Sequence, residues 1–190
     1  MSTQAEMQLL SAEEFFHLPE PPQGGKMELV KGRVVKHMPV SGKDGVRASK
    51  INRVLGPFVE KRALGECMVE TGYILRRNPD LVRAPDISFL AAEHLPEGGI
   101  PEEGFLETVP TLAVEVVSPG DLDSDVNDKV LDYLNAGCDR VWVVRPRQKT
   151  VTVHHGNGTA RILRVGAVLT SDDAALSEPG FELSLDELFA

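Results

Sequence analysis

The sequence is short of the features that mark several classes of protein. Its 190 residues hold two cysteines, Cys67 and Cys138. Two thiols make no disulfide framework, and their spacing is not that of a metal site. Both read as small hydrophobes in a protein of the reducing cytoplasm. No apolar run approaches the roughly 20 residues needed to span a bilayer, so no membrane association is expected. The opening "MSTQAEMQLL" has neither a basic start nor a long apolar stretch, so no signal peptide is visible. Positive charge is scarce overall: a net charge of −9 argues against a protein that coats nucleic acid by bulk electrostatics. Internal repeats and low-complexity tracts are lacking too, and residues 1–190 read as a single domain with its own core.

What charge there is lies unevenly. Residues 26–62 hold ten basic groups against three acidic, a net +7, which leaves −16 on the remainder. Such asymmetry permits one phosphate-facing surface, although a solvated basic face is the blander account. "SAEEFF" opens with Ser11 and Glu14 at capping-box spacing and predicts a short helix, ended by the breaker-rich "PEPPQGG". "KMELVKGRVVKHM" reads as a hairpin about Lys31-Gly32. From Lys43 to Leu64 the apolar residues recur at helical spacing, and Gly56-Pro57 is expected to kink or end that helix. Lys43, Arg47, Lys50 and Arg53 form a basic stripe along it. Strands follow in "MVETGYILR", "APDISFL" and "TLAVEVVS", then a helix in "DLDSDVNDKVLDYLNAGC" with acids at its start and Gly137 as its stop. "RVWVVRP", with Trp142 expected in the core, and "TVTVHH" are strands again. A late acidic, Pro-containing segment leads to a last helical turn or two in "SLDELFA". The order predicts an α/β sandwich built on a mixed sheet.

One side chain in this pattern is out of place. Glu115 sits inside "LAVEVVS", a stretch apolar enough to be buried, where an ionised carboxylate costs several kcal/mol without a partner. Strand alternation puts Leu112, Val114 and Val116 on one face and Ala113, Glu115 and Val117 on the other. In "PDISFL" it puts Ile87 and Phe89 on one face, Asp86 and Ser88 on the other. If the two strands are neighbours, Asp86 and Glu115 converge, and converging acids must share a proton or a cation. A hard divalent ion such as Mg²⁺ is the usual answer.

Pro85-Asp86 followed by Glu115 in an apolar strand resembles the PD-(D/E)XK nuclease motif. More closely, the chain resembles the Uma-type putative restriction endonucleases, formerly a bacterial family of unknown function. The likeness runs through "ELVKGRVV", "VRAPDISFL", "PTLAVEVVSPGD", "KVLDYLNAGCDRVWVVRP", "VTVHH" and "PGFELSLDELF". It implies a restriction-endonuclease-like α/β (α+β) fold, a mixed β-sheet flanked by helices. Its nuclease-like core would span 25–155, with an N-terminal helix and a C-terminal extension.

The resemblance further implies an endonuclease that hydrolyses phosphodiesters in nucleic acid, DNA foremost, with Mg²⁺ or Mn²⁺, and that acts as a homodimer. Asp86 and Glu115 would hold the ion, with the backbone carbonyl of Val116 as a further ligand. The lysine common two residues after the glutamate is replaced by Val117, and Lys129 is the substitute; its bland role is an i,i+4 pair with Asp125. Glu28 matches an acidic position of the family's first hairpin and is a further catalytic candidate, against a bland place on the hairpin surface. Lys43, Arg47 and Lys50 are candidate nucleic-acid contacts. Where relatives often carry a histidine, this chain has Gly45. Tyr73 is a candidate for the cleft wall, whereas His17, His37 and His94 have no evident partners. The rival reading is a catalytically inactive nucleic-acid-binding or protein-interaction module on the same scaffold; hydrolysis of another phosphoester is a third.

Overall fold

A computed structural model describes residues 9–22, 24–38 and 42–190. Residues 1–8, where no signal peptide is read, lie outside the described residues. Helices are α1 (Ala12–Phe16), α2 (Gly42–Lys61), α3 (Asp123–Ala136) and α4 (Leu185–Phe189). Strands are β1 (Met27–Val30), β2 (Arg33–Lys36), β3 (Gly65–Val69), β4 (Tyr73–Arg76), β5 (Leu81–Arg83) and β6 (Ile87–Ala91). They continue with β7 (Leu112–Val116), β8 (Arg140–Arg145), β9 (Thr150–His155), β10 (Ala160–Arg164), β11 (Val168–Thr170) and β12 (Glu182–Ser184).

The strands form a six-stranded sheet in the order β10-β9-β8-β7-β6-β3, a four-stranded sheet in the order β2-β1-β5-β4, and a β11-β12 pair. Within the large sheet β7 and β8 run parallel, joined by the α3 crossover, and the other pairs are antiparallel. The sheet is therefore mixed, as the sequence predicts. Its two faces follow the alternation of β7. Leu112, Val114 and Val116 join Ile87, Phe89, Trp142 and Val144 in a core closed by Ile51, Leu55 and Val59 of α2 and by Phe181, Leu183 and Leu185. Ala113 and Val143 face the other way, onto Val126, Val130 and Tyr133 of α3 and Tyr73, Leu75 and Leu81 of the small sheet. Trp142 is fully buried and donates from Nε1 to the Asp173 carbonyl at 2.6 Å, so its one polar atom is satisfied inside the core. Both cysteines are free, and burial pushes their thiols up to about 12, which suits packing better than reactivity.

Local chemistry explains most element ends. Ser11 and Glu14 form the capping box of α1. Lys31 and Gly32, at φ +52° and +72°, make the two-residue turn whose twist suits a hairpin. Gly137 closes α3 at φ +106°. Two expectations need correction. Helix α2 does not end at Gly56-Pro57 but runs on to Lys61. Pro57 and Arg53, whose carbonyl loses a donor to the proline ring, are both exposed, so water can take up the orphaned oxygen. The segment before the final helix is not merely a connector, for it supplies β10, β11 and β12.

One reading of a single strand also changes. "MVETGYILR" breaks at residues 70–72 into β3 of the large sheet and β4 of the small one, and the chain returns at residues 84–86, between β5 and β6. The two crossings touch, with the Glu70 amide donating to the Asp86 carbonyl at 3.4 Å. Asp86 thus stands at the corner where the sheets meet.

Candidate active site

The register of β6 and β7 pairs Ile87 with Val114. Carried one residue on, it sets Asp86 opposite Glu115, so the convergence inferred from alternation is built by a strand pair. In the small sheet Leu29 pairs with Val82, which brings Arg83 opposite Glu28. The hairpin pairs Met27 with Lys36, which sets Lys26 and His37 opposite each other beyond the strand ends. From above, α3 presents Lys129 and Tyr133, one turn apart on a single face. Four stretches thus deliver acids and bases to the seam between the sheets.

Each carboxylate there is gripped by donors. Asp86 accepts from Lys26 Nζ at 3.0 Å on Oδ1 and from the Val116 amide at 2.7 Å on Oδ2. Lys26 also donates to the Ala84 carbonyl at 2.7 Å. Glu115 accepts from Lys129 Nζ at 2.9 Å and from the Tyr133 hydroxyl at 2.9 Å, one on each oxygen. Glu28 accepts from Arg83 Nη1 at 2.8 Å and the Ala84 amide at 3.0 Å, and pairs with His37 Nε2 at 2.7 Å; Lys129 Nζ is 3.6 Å away. Arg83 donates with Nε and Nη2 to Asp132 at 2.9 and 2.6 Å.

The electrostatics are those of a buried charge network. Burial pushes the Glu115 carboxyl above the usual range, opposed by Lys129 and Lys26 and reinforced by Asp86 and Glu28. For Glu28 burial acts the same way but is overcome. The His37 hydrogen bond and the charges of Lys129, Arg83 and Lys26 hold that carboxyl well below its ordinary value. Burial would depress Lys26, yet Glu115, Asp86 and Glu28 raise it above a normal lysine. The Tyr133 hydroxyl is raised far above a normal phenol by burial, then by the charges of Glu115 and Glu28, and it stays a donor.

A cleft of about 550 Å³ opens onto this network, lined among others by Lys26, His37, Asp86, Glu115, Val116 and Lys129. Four of the residues expected from the sequence, Asp86, Glu115, Val116 and Lys129, therefore share one wall. Lys129 is not paired with Asp125 but reaches inward to Glu115 and Glu28. Glu28 is not a hairpin surface residue: it is fully buried, lies beneath the cleft wall, and spends its oxygens on Arg83, Ala84 and His37. Tyr73 does not line the cleft; it is buried and donates to Ser88 Oγ at 2.7 Å. His37 and His94, read as lacking partners, have them in Glu28 and, at 3.3 Å, Thr111.

Of the basic stripe, Lys43 is exposed at the start of α2 and Gly45 stands open beside it. Arg47 pairs with Asp44 at 3.2 Å, and Asp44 accepts from Ser118 of the cleft wall at 2.8 Å. Lys50 is turned to the Glu187 and Ala190 carbonyls, both at 2.9 Å.

Sequence reading missed Lys26, His37, Arg83 and Tyr133. Three carried a signal. A two-residue turn at 31–32 fixes the hairpin register, and that register puts Lys26, Glu28 and His37 on one face. Tyr133 follows Lys129 by one helical turn. Arg83 carried none, since its place opposite Glu28 depends on a pairing between distant strands.

Among the described residues, no three His, Cys, Asp or Glu side chains are arranged to hold a metal by themselves. Two carboxylates with water are nevertheless a sufficient protein share for Mg²⁺ or Mn²⁺, and Asp86 and Glu115 are hard oxygen donors opening on the same cleft. Each oxygen of these acids accepts from one donor among the described residues and keeps a second lone pair, so the pair fits such an ion in kind.

A mixed sheet flanked by helices, with acids gathered where adjoining strands meet a cleft, puts the protein in the restriction-endonuclease-like α+β class. The chain belongs to the Uma2 family, described as putative restriction endonucleases, whose sequence pattern matches residues 12–187. Among solved structures it is similar to a putative nuclease belonging to DUF820 from Anabaena variabilis ATCC 29413. The two share 24% identity with a TM-score of 0.77, over 95% of this chain and 97% of the other. That likeness speaks to the fold. No curated protein matches the sequence. No helix among the described residues is long and apolar enough to cross a membrane.

Proposed function

We propose that the protein is a divalent-metal-dependent phosphodiesterase that cuts nucleic acid, with DNA as its substrate. The observation that carries this is the meeting of Asp86 and Glu115, from neighbouring strands, in one cleft beside two lysines. Family membership agrees with it. Asp86 and Glu115, with the Val116 carbonyl, would hold Mg²⁺ or Mn²⁺. When bound, the ion supplies polarisation of a phosphoryl oxygen and a bound water of lowered pKa.

The chain's own groups do the rest. Asp86 is aimed by the Val116 amide and Lys26, Glu115 by Tyr133 and Lys129, so neither acid is free to rotate away. Lys26, one-fifth exposed, and Lys129 face a scissile phosphate in the cleft and offset the charge that grows on it. Lys43, near the start of α2, is an exposed member of the basic stripe and the contact for flanking phosphates. A homodimer would present two such clefts to the two strands of a duplex.

A second reading has its own support. Val117 is apolar where a reactive lysine is common, and the ammonium groups of Lys26 and Lys129 already neutralise both acids. On that account the scaffold binds nucleic acid or protein without cutting. Calorimetry with Mn²⁺ on wild type, Asp86→Ala and Glu115→Ala, with cleavage of plasmid and single-stranded DNA, separates the two. The phosphodiesterase binds the ion, loses it in both variants and cuts only when loaded. Lys129→Ala is expected to slow turnover more than it weakens ion binding. Ion binding with no cutting of either substrate leaves the silent module.

A further inference from the structure

Hydrolysis needs a group that takes the proton of the attacking water, and the lysines of the site are poor candidates. An ammonium in an ion pair, as Lys129 is with Glu115 and Lys26 with Asp86, has no lone pair to offer. Val117, two residues past Glu115 on the same strand face, is apolar. His37 differs from all of these. Its amide donates to the Lys26 carbonyl at 2.8 Å, which anchors it to the start of β1, and its Nε2 lies 2.7 Å from Glu28 Oε2.

Glu28 is buried, ionised and able only to accept, so Nε2 carries the hydrogen and the lone pair of the neutral ring sits on Nδ1. Among the described residues Nδ1 has no hydrogen-bond partner. His37 lines both the main cleft and a recess of about 40 Å³ shared with Glu115, Val116, Asp121, Asp125 and Lys129. One water needs only ~10–15 Å³ of such space.

We propose that His37 is the general base of this site and Glu28 its positioning residue. The inference rests on the phosphodiesterase reading above. Nδ1 takes one proton of the attacking water as its oxygen bonds to phosphorus. The bond from phosphorus to the leaving ester oxygen breaks with its electron pair, that oxygen takes a proton from solvent, and His37 returns its own to solvent. The imidazolium that forms faces Glu28 from β1, with Arg83 of β5 held beyond it by Glu28 and Asp132. Across the recess it faces Glu115 from β7 and Asp121, Asp125 and Lys129 from α3 and the turn before it, with Lys36 as its chain neighbour.

The test is single-turnover cleavage of a labelled DNA duplex at saturating Mn²⁺, across roughly pH 5.5–8.5, with wild type, His37→Gln and His37→Ala. The wild-type rate is expected to rise about tenfold per pH unit and then level as the imidazole loses its proton. His37→Gln is expected to lose about 100-fold or more in rate, together with that rising limb, while calorimetry shows Mn²⁺ affinity unchanged. Added imidazole is expected to restore part of the His37→Ala rate in proportion to its unprotonated fraction. A His37→Gln protein with the wild-type rate, or with a slower rate on the same rising limb, overturns the assignment and leaves the phosphodiesterase standing. A wild-type protein that binds Mn²⁺ and cuts nothing overturns both.

Discussion

Replacing Glu28 by glutamine tests whether the buried network is as tightly organised as its distances imply. Glutamine keeps the shape and one acceptor for the Ala84 amide, but it removes the charge that Arg83 and His37 share at 2.8 and 2.7 Å. A hydrogen bond to a charged group is worth about 1.5–3 kcal/mol, and the substitution disrupts two of the three that Glu28 makes, those with Arg83 and His37. Arg83 keeps Asp132 as a partner and His37 is one-fifth exposed, so neither is left bare. The expected loss is therefore about 3 kcal/mol, at the lower end of what breaking a buried ion pair costs. In a protein of this size it corresponds to a fall in Tm of roughly 6–12 °C.

The loss carries a pH signature. The folded Glu28 carboxyl ionises well below its unfolded counterpart, which titrates near 4.3. Its contribution is thus complete at neutral pH and fades as pH falls below about 4. Glu115, shifted the other way by burial, weakens the fold as it ionises with rising pH, but it is present in both proteins. Urea unfolding of wild type and Glu28→Gln at about pH 7 and pH 3 measures the difference directly. A gap below about 1 kcal/mol at neutral pH, or one that does not narrow in acid, refutes a tightly organised network around Glu28.

Two further substitutions probe the backbone. Gly65 holds φ +143°, and a Cβ there would lie 2.0 Å from the Leu90 carbonyl oxygen, so Gly65→Ala must shift one of two paired strands. A loss of about 2–4 kcal/mol is expected in thermal or urea unfolding, and a neutral result would contradict the close approach of β3 and β6. Pro57→Ala should restore the missing amide donor within α2 and stabilise the protein by about 1–2 kcal/mol, after allowance for the more flexible unfolded chain. A destabilised Pro57→Ala would mean that the helix depends on its proline.

What could be read from the sequence divides along a physical line. Local rules carried the capping box of α1, the Lys31-Gly32 turn and the Gly137 stop, because each depends on residues a few positions apart. Alternation also carried Asp86 and Glu115 to one face, since a strand's sidedness is local even when its partner is unknown. Lys129 was legible as the substitute for the lysine that Val117 replaces, through the family resemblance, whereas local rules left its pair with Asp125 equally open, because the choice needs the crossover to be folded back. Arg83 and the switch of strands between sheets at residues 70–72 and 84–86 were beyond local rules. Pro57 misled because the penalty for a helical proline falls on a carbonyl, and the sequence does not say which carbonyls water can reach. The strands from 160 onward were hidden by their composition: β10 buries only Leu163, so little alternation marks it.

The crossover that makes β7 and β8 parallel also sets when the site comes into being. Glu28 and Lys129 lie 3.6 Å apart in space and 101 positions apart along the chain. Synthesis proceeds from the amino end, so a growing polypeptide exposes Glu28 and Asp86 well before it owns the helix whose Lys129 reaches Glu28 and Glu115. Until then Lys26 and Arg83 are the cations that hold Asp86 and Glu28, and Glu115 is without the ammonium and the hydroxyl that grip it. A ribosomal product cut short ahead of α3 would thus lack Lys129 and Tyr133, the two groups that orient Glu115, and would leave the cleft without that wall.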